Sequence, residues 1–354
     1  MNYVPASFAA LRPLDNSVLV GVSLNSTGTL NVNGGTVNTP ILFAGQGDNA
    51  RPSTGTVNIT NGGTINATLD SGPTGPLPGF PAVGIGRGLG SVGTVNVDGA
   101  GSELNAATGM FSIGRDGSGT LNITDGGKVI AGNTVFGSTV SSTGSSSILV
   151  QGIDSELNAV GNNILLGIAT DLNPANTNHG TSTLNVRDGG NVIGNVFIGS
   201  GGTLKGDGTV TGGVTNFSGT ILPGNSPGTL HITGDYTQNN GVIEIEIAGT
   251  SVFDLIDVTG SAILDDVLIK FIFVGGYAPQ ANDNFDFLRA ASVAINNPTY
   301  EIAGLLPGFG YDVTNNNGLL SLNALTNGTA VPEPATLALL GLGLIGLAAR
   351  RRRV

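Results

Sequence analysis

A short apolar–polar unit recurs between residues 28 and 192, and this recurrence restricts the fold more than any other feature of the chain. A typical unit alternates apolar and polar residues and then turns at Asn-Gly, Asp-Gly or Gly-Gly. Successive units start about 27, 38, 26, 28 and 35 residues apart, so a core period of ~26–28 residues carries occasional insertions. Strands at such a period, with turns at equivalent places, indicate a solenoid. The units are GTLNVNGGTV (28–37), GTVNITNGGTI (55–65), GTVNVDGAGSEL (93–104), GTLNITDGGKV (119–129), SILVQGIDSEL (147–157) and STLNVRDGGNV (182–192).

A second apolar strand lies between the units and completes the pattern of a coil. Two or three short strands per coil, with no helical pattern between them, predict an all-β chain folded as a parallel β-helix. At ~4.8 Å per coil, about nine coils would form a rod roughly 40 Å long. The second strand occurs as ILFAG (41–45), VGIGR (83–87), FSIGR (111–115), TVFGS (134–138), ILLGI (164–168) and VFIGS (196–200). The side chains expected to stack inside the coils are Leu30, Val32, Val57, Ile59, Val95, Val97, Leu121, Ile123, Leu184 and Val186.

Asparagine recurs at one position between these apolar residues. Two interpretations are open: the amides form an outward-facing ladder from coil to coil, or the position simply tolerates polar residues. The asparagines concerned are Asn31, Asn58, Asn96, Asn122 and Asn185.

The composition favours a stacked, disulfide-free protein outside the cell. The chain has 59 glycines and no cysteine, so backbone pairing and stacking must stabilise it. Without the four terminal arginines, residues 1–349 contain 24 acidic and nine basic side chains, which gives a formal charge of −15. Such a surface repels phosphate backbones, and we expect no nucleic-acid partner.

The rhythm of the chain suggests five segments. Residues 1–20 precede the repeats, and residues 21–250 form the β-helix, with a tighter rhythm from residue 200 onward. Residues 251–325 are richer in large apolar side chains and are expected to form a β-rich cap over the open end of the solenoid. A linker, 326–330, then leads to the C-terminal signal, 331–354.

That C-terminal segment has the order of residues expected of a membrane-sorting signal. Val331, Pro332, Glu333 and Pro334 precede an uncharged apolar run, 335–349, and then Arg350, Arg351, Arg352, Arg353 and Val354. As a single transmembrane helix the run spans roughly 22 Å, short of the ~30 Å hydrocarbon core, and arginine stems can reach the headgroups to reduce the deficit. The arginine block should stay on the cytoplasmic side, with the long N-terminal part outside. The match of Gly341, Gly343 and Gly346 to a dinucleotide fingerprint is discounted, because no strand precedes it.

The Pro-Glu-Pro step, the apolar helix and the arginine block resemble the PEP-CTERM sorting signal of exported proteins in biofilm-forming Gram-negative bacteria. Pro332, Glu333 and Pro334 match its motif, and Arg350 to Arg353 match its basic cluster. The resemblance implies a membrane-anchored precursor recognised by an exosortase, a membrane-embedded cysteine transpeptidase that acts near the Pro-Glu-Pro step. The mature protein would then be released or attached to the cell surface. Residues 1–20 depart from the family pattern, since they have no basic region followed by a long apolar region, and we expect a truncated or misassigned start.

A second resemblance concerns the end of the repeats. Residues 223–238 and 254–264 are similar to the C-terminal passenger region of autotransporter adhesins and to surface proteins that carry the PEP-CTERM-associated repeat. The expected architecture is therefore an autotransporter-like β-helix with a sorting tail in place of a membrane barrel.

Isolated matches to catalytic and metal motifs are interpreted as structural. Residues 224–228 fit G-x-S-x-G around Ser226, but the next residue, Pro227, has no N–H to donate to an oxyanion hole, so a turn is expected. His179 and His231 have no neighbour at metal spacing, and no zinc site is expected. The pair Asp265 and Asp266 is expected to form an exposed turn more readily than a calcium site.

Charged residues also recur in the repeats. Asp98, Asp125 and Asp188 are expected at equivalent turn positions, and Arg87 and Arg115 at one position of the second strand. A catalytic centre would occur once, so repeated residues favour stacking over catalysis.

Three functions remain. The first is a structural or adhesive protein of the cell surface or extracellular matrix, with extracellular polysaccharide as a candidate partner. The second is an extracellular polysaccharide-degrading enzyme, and the third is a passive spacer or filament subunit. The first is preferred because long regular faces carry no singular chemical constellation, and we expect no enzymatic activity, cofactor or metal.

Overall fold

The computed structural model describes residues 16–22, 25–47, 51–71, 80–138, 144–168 and 179–331. This part of the chain is all-β, with 33 strands numbered in chain order and no helix among the described residues. Most strands fall on three faces, each a stack of parallel strands, and the chain visits the third, first and second faces in turn.

The first face is the longest continuous ladder. Its strands are β2 (Thr27–Asn33), β5 (Thr54–Thr60), β8 (Val92–Asp98), β11 (Ser118–Thr124), β14 (Ser145–Gln151), β16 (Thr181–Arg187), β18 (Gly202–Gly206), β21 (Thr220–Pro223), β24 (Val242–Gly249), β28 (Leu268–Phe273) and β31 (Thr299–Ala303). The short strand β25 (Val252–Phe253) folds back antiparallel on β24.

The other two faces share strands β15 (Glu156–Leu166) and β17 (Asn191–Ile198), whose first parts lie on the second face and last parts on the third. The second face also contains β3 (Thr36–Thr39), β6 (Thr64–Ala67), β9 (Glu103–Ala106), β12 (Lys128–Ala131), β19 (Thr209–Thr211), β22 (Thr229–Ile232), β26 (Leu255–Val258) and β29 (Asn284–Arg289). The third contains β1 (Val18–Val22), β4 (Leu42–Gln46), β7 (Val83–Arg87), β10 (Phe111–Ile113), β13 (Val135–Gly137), β20 (Val214–Asn216), β23 (Tyr236–Asn239), β27 (Ser261–Asp265) and β30 (Ser292–Asn296).

The long parallel ladders are consistent with the β-helix that the repeats predict. Nine first-face strands, β2 to β24, start between residues 21 and 250, and β28 and β31 continue the stack to residue 303. The segment 251–325, which the sequence predicts to be a cap, thus contributes further coils. An antiparallel hairpin then ends the rod. That hairpin consists of β32 (Tyr311–Asn316) and β33 (Leu319–Ala324), and β33 also pairs with β29.

The core lies inside the coil, where period-2 alternation directs the apolar side chains. The predicted interior residues from Val57 to Val186 are fully buried, as expected from the repeats. Val32 is 5% exposed, and Leu30, in the first stacked strand of its face, is only partly buried.

The asparagine position forms an amide ladder over four coils. Asn58 donates to Asn31 at 2.8 Å, Asn96 to Asn58 at 2.7 Å, and Asn122 to Asn96 at 2.8 Å. The next residue in register is Leu149, which has no amide, so the ladder stops before Asn185. The ladder interpretation is confirmed for four asparagines and wrong for the fifth.

Candidate functional site

The predicted sorting residues lie at the margin of the described structure. Val331 is 46% exposed, and its N–H donates to the Gly304 carbonyl at 3.0 Å. Pro332, Glu333, Pro334, Arg350, Arg351, Arg352 and Arg353 lie outside the described residues, as does the helix expected over 335–349. Among the described residues, no helix is long and apolar enough to cross a membrane.

Residues leading to this motif are held against the end of the rod. The Gly328 N–H donates to the Pro279 carbonyl at 2.8 Å, and the Leu306 N–H donates to the Thr329 carbonyl at 2.7 Å. Leu305 and Ala330 form an isolated antiparallel bridge. The interval 326–330, marked as a linker from the sequence, is therefore hydrogen-bonded to the loops beside the closing hairpin.

A polar cleft of about 320 Å³ opens on the first face across strands β16, β18, β21 and β24. Parallel register places Asn185, Lys205 and Leu222 side by side on adjacent coils, and Glu244 aligns with Lys270 on the coil beyond. Two residues further along β16 and β24, Arg187 and Glu246 lie on the same outward side. The segment 223–226 and Asp254 complete the lining.

Asp254 fastens the turn 224–228 to the first face. One carboxylate oxygen accepts the Gly228 N–H at 2.8 Å, and the other accepts the Glu246 N–H at 2.9 Å. The side chain is nearly inaccessible to solvent, and burial raises the pKa of Asp254 to about 7 even though both N–H groups favour the charged form. The neighbouring Glu246 carboxylate raises this pKa further. Asp254 is therefore partly protonated near neutral pH.

The raised pKa predicts that acid stabilises this part of the fold. An aspartate titrates near pH ~3.9 when unfolded, so between about pH 4 and pH 7 the folded chain binds more protons at Asp254 than the unfolded chain. The contribution is fully present below this range and is lost as the pH rises to about 7. As the pH rises from 5 to 8, loss of this contribution should lower the free energy of unfolding by on the order of 2 kcal/mol.

Urea unfolding at several pH values measures this contribution. Asp254→Asn should flatten the dependence, whereas Glu301→Gln, at an exposed carboxyl on β31, should leave it unchanged. Equal pH slopes for Asp254→Asn and the unsubstituted chain would contradict the assignment.

Ser226 lies in the turn between β21 and β22, so its context is strand–turn–strand, as predicted. Its hydroxyl is exposed and donates to Glu246 Oε2 at 2.5 Å. This contact joins the turn to the cleft and leaves the hydroxyl without a histidine partner among the described residues.

Of the three aspartates expected at equivalent turn positions, only two are equivalent. Asp125 and Asp188 adopt left-handed backbone conformations, with φ of 52° and 53°, in Asp-Gly turns. Asp98 instead ends β8 in register with Thr124, whose hydroxyl it accepts at 2.5 Å. The expectation for Asp98 was wrong because its turn, before Glu103, is one residue longer than the turn before Lys128.

Of the two recurring arginines, Arg87 lies beside aromatic side chains. Arg87 and Arg115 each lie two residues after the aligned pair Ile85 and Ile113 of β7 and β10, as the repeat predicts. The Arg87 guanidinium lies 4.8 Å from the ring centre of Phe43 and 5.4 Å from that of Phe80. Its burial lowers the pKa of Arg87 to about 10, with the charge of Arg115 as a further cause.

The histidines belong to two surface contacts. His231 pairs with Asp257 at 3.3 Å, and Arg289 binds the same carboxylate through two bonds of 2.9 Å, which lower the pKa of Asp257. His179 contacts Ser200 Oγ at 3.1 Å.

Asp265 ends β27, and Asp266 follows it in a turn at a φ of 49°. In the described part of the chain, no group of three or more His, Cys, Asp and Glu residues is arranged to hold a metal ion.

The cleft could not be predicted from the sequence because its lining residues belong to four coils of unequal length. Successive coils are offset by 27 residues between Thr27 and Thr54 but by only 17 between Thr203 and Thr220. The available signal was local: Glu244 and Glu246 alternate with buried isoleucines in IEIEI, which places both carboxylates on one outward side.

Comparison with known proteins identifies a motif at the C-terminal end of the chain. Residues 330–353 match the PEP-CTERM protein-sorting motif. No curated protein matches the chain. The first two residues of the motif, Ala330 and Val331, belong to the hydrogen-bonded segment beside the closing hairpin. It indicates an exported protein, anchored in the membrane as a precursor and sorted by an exosortase in a Gram-negative bacterium.

Proposed function

We propose that this chain is a structural or adhesive protein of the cell surface or extracellular matrix. Its working part is an autotransporter-like parallel β-helix, and its C-terminal signal is a transient address that an exosortase removes near Pro332, Glu333 and Pro334. The arginines from Arg350 to Arg353 keep the end of the precursor on the cytoplasmic side until processing. The rod then binds polysaccharide and catalyses no reaction.

The observation that carries this proposal is where the sorting motif lies relative to the rod. The parallel stack ends at β31, the hairpin of β32 and β33 follows, and the motif starts at residue 330. Among the described residues, the strands of the coils pair with one another, and the first two motif residues, Ala330 and Val331, bond to Leu305 and Gly304 after the last coil strand.

The regular surface supports an adhesive role over a catalytic one. Eleven first-face strands repeat at one spacing, and the amide ladder from Asn31 to Asn122 presents the same group on successive coils. Such a surface suits an extended, repetitive partner such as a polysaccharide.

Binding and turnover assays on the purified full-length chain separate the candidate roles. We expect saturable binding to acidic polysaccharides without release of new reducing ends or unsaturated products. Turnover of the polysaccharide would replace this proposal with the enzyme. Absence of binding, with concentration-dependent end-to-end assembly in sedimentation experiments, would replace it with the spacer.

A further inference from the structure

The polar cleft on the first face contains two of the few cations of a strongly acidic chain. Only nine lysines and arginines precede the terminal arginines, against 24 acidic residues. Two of them, Arg187 and Lys205, line this one cleft, and a third, Lys270, pairs with Glu244 at 3.7 Å. Glu244, Glu246 and Asp254 also line the cleft, so scarce cations and carboxylates lie side by side at this position.

The cations that line the cleft retain unused donors. In the described part of the chain, the Lys205 ammonium makes no ion pair or hydrogen bond. Arg187 donates from Nη2 to Gln151 at 2.9 Å, but its buried Nε has no hydrogen-bond partner and lies 3.7 Å from Asp188. An anionic group in the cleft would pair with the Lys205 ammonium beside the Arg187 guanidinium.

The carboxylates of the cleft are already occupied. Glu244 is paired with Lys270, Glu246 accepts the Ser226 hydroxyl, and Asp254 accepts two backbone N–H groups. Lys205 is consequently the lining cation without an ion pair, while Glu246 keeps its negative charge, and Glu244 and Glu246 have free lone pairs that can accept hydroxyl groups.

The shape and lining suit an extended hydroxylated ligand. From β16 to β24 the cleft crosses three strand spacings, or roughly 14 Å. Asn185, Asn225 and Ser226 add amide and hydroxyl groups along its walls. Hydroxyl donors and acceptors on either side of an unpaired cation complement a sugar ring that bears a carboxylate.

We propose that this cleft binds an acidic saccharide, with the carboxylate of a uronate unit on Lys205 and Arg187 and sugar hydroxyls on Glu244 and Glu246. The inference rests on the proposed adhesive function and assigns it a site and a ligand class. Lys205 would attract a saccharide carboxylate and a small free anion alike, because both are negatively charged. The test must therefore distinguish these two ligands.

Titration calorimetry on the full-length chain at low salt provides that test, with oligogalacturonate, a neutral oligosaccharide of equal length and inorganic sulfate as probes. Lys205→Gln should weaken oligogalacturonate binding about tenfold or more, as expected for loss of a charge-assisted hydrogen bond. Lys205→Arg should restore most of the affinity. Lys128→Gln removes the same charge from an exposed position on the second face and should leave the affinity unchanged.

Each alternative result is distinct. Oligogalacturonate binding that Lys205→Gln leaves unchanged would overturn the cleft assignment alone. Equal affinity for the neutral oligosaccharide or for sulfate would overturn the acidic-saccharide class. No binding of either oligosaccharide or of the acidic polysaccharides would overturn the adhesive function together with its site. Turnover of oligogalacturonate lost in Lys205→Gln would overturn the non-catalytic role and support the cleft as the saccharide site.

Discussion

Replacing Gly86 with alanine should destabilise the rod by more than about 4 kcal/mol, an unusually large effect for the addition of a single methyl group. Gly86 lies at a corner between the third and first faces with a φ of 64°. A Cβ there would lie 2.0 Å from the Ser118 carbonyl oxygen and 2.3 Å from its carbon. Both atoms are backbone of the next coil, so relief requires the coils to separate and their ladder hydrogen bonds to break.

Two other glycines distinguish the two causes of this destabilisation, the clash of the added methyl group and the left-handed backbone. Gly62 has a φ of 75°, but no atom lies within 4 Å of the place that an alanine methyl group would take, so Gly62→Ala should cost only the ~1–2 kcal/mol of a left-handed alanine. Gly35 has neither a left-handed backbone nor a close neighbour, and Gly35→Ala should change stability by less than about 0.5 kcal/mol. Urea unfolding followed by circular dichroism should give the order Gly86, Gly62, Gly35. A Gly86→Ala chain as stable as Gly35→Ala would contradict the close stacking of the coils.

Replacing Phe271 with alanine should cost about 3–5 kcal/mol, the range for a large buried side chain. Phe271 is fully buried on β28, with ring centres 5.0 Å from Phe287 in an edge-to-face pair and 6.2 Å from Tyr300 in a stacked pair. The substitution opens a cavity among the last coils, where a coil contacts only its neighbours and the hairpin.

Because stability is local in a solenoid, limited proteolysis is the sharper measurement for Phe271→Ala. Cleavage should appear first after residue 250, while the coils that contain β2 to β16 stay resistant. Ile153→Ala, at a side chain that is 78% exposed, should leave the digestion pattern unchanged. Uniform cleavage along the Phe271→Ala chain would show that the coils unfold as one unit.

The repeats were sufficient to predict the interior of the rod, because alternation along each strand determines which side chains enter the core. Val57 and Ile59 are buried for this reason, and the same rule places Asn58 outside. What alternation could not predict is continuity from coil to coil. The amide ladder ends where Leu149 replaces asparagine, and Asp98 left its expected position because one turn is a residue longer.

The cleft shows the same difficulty at the functional level. Lys205 and Glu246 are 41 positions apart, and no local motif relates them. Their proximity follows from the number of residues in each intervening turn, which sets the register of β18, β21 and β24. The sorting motif, in contrast, is contiguous, so its recognition needed only the order of its residues.

The C-terminal mass of the protein recovered from outside the cell tests the central claim most directly. The chain would be expressed behind a secretion signal in a Gram-negative host that carries an exosortase, beside a variant with Pro332, Glu333 and Pro334 changed to alanine. We predict that the external protein ends near the Pro-Glu-Pro step and lacks Arg350 to Arg353, and that the variant stays in the membrane at full mass. External protein that still ends in Arg353 and Val354 would contradict the claim that the tail is a transient address on an exported rod.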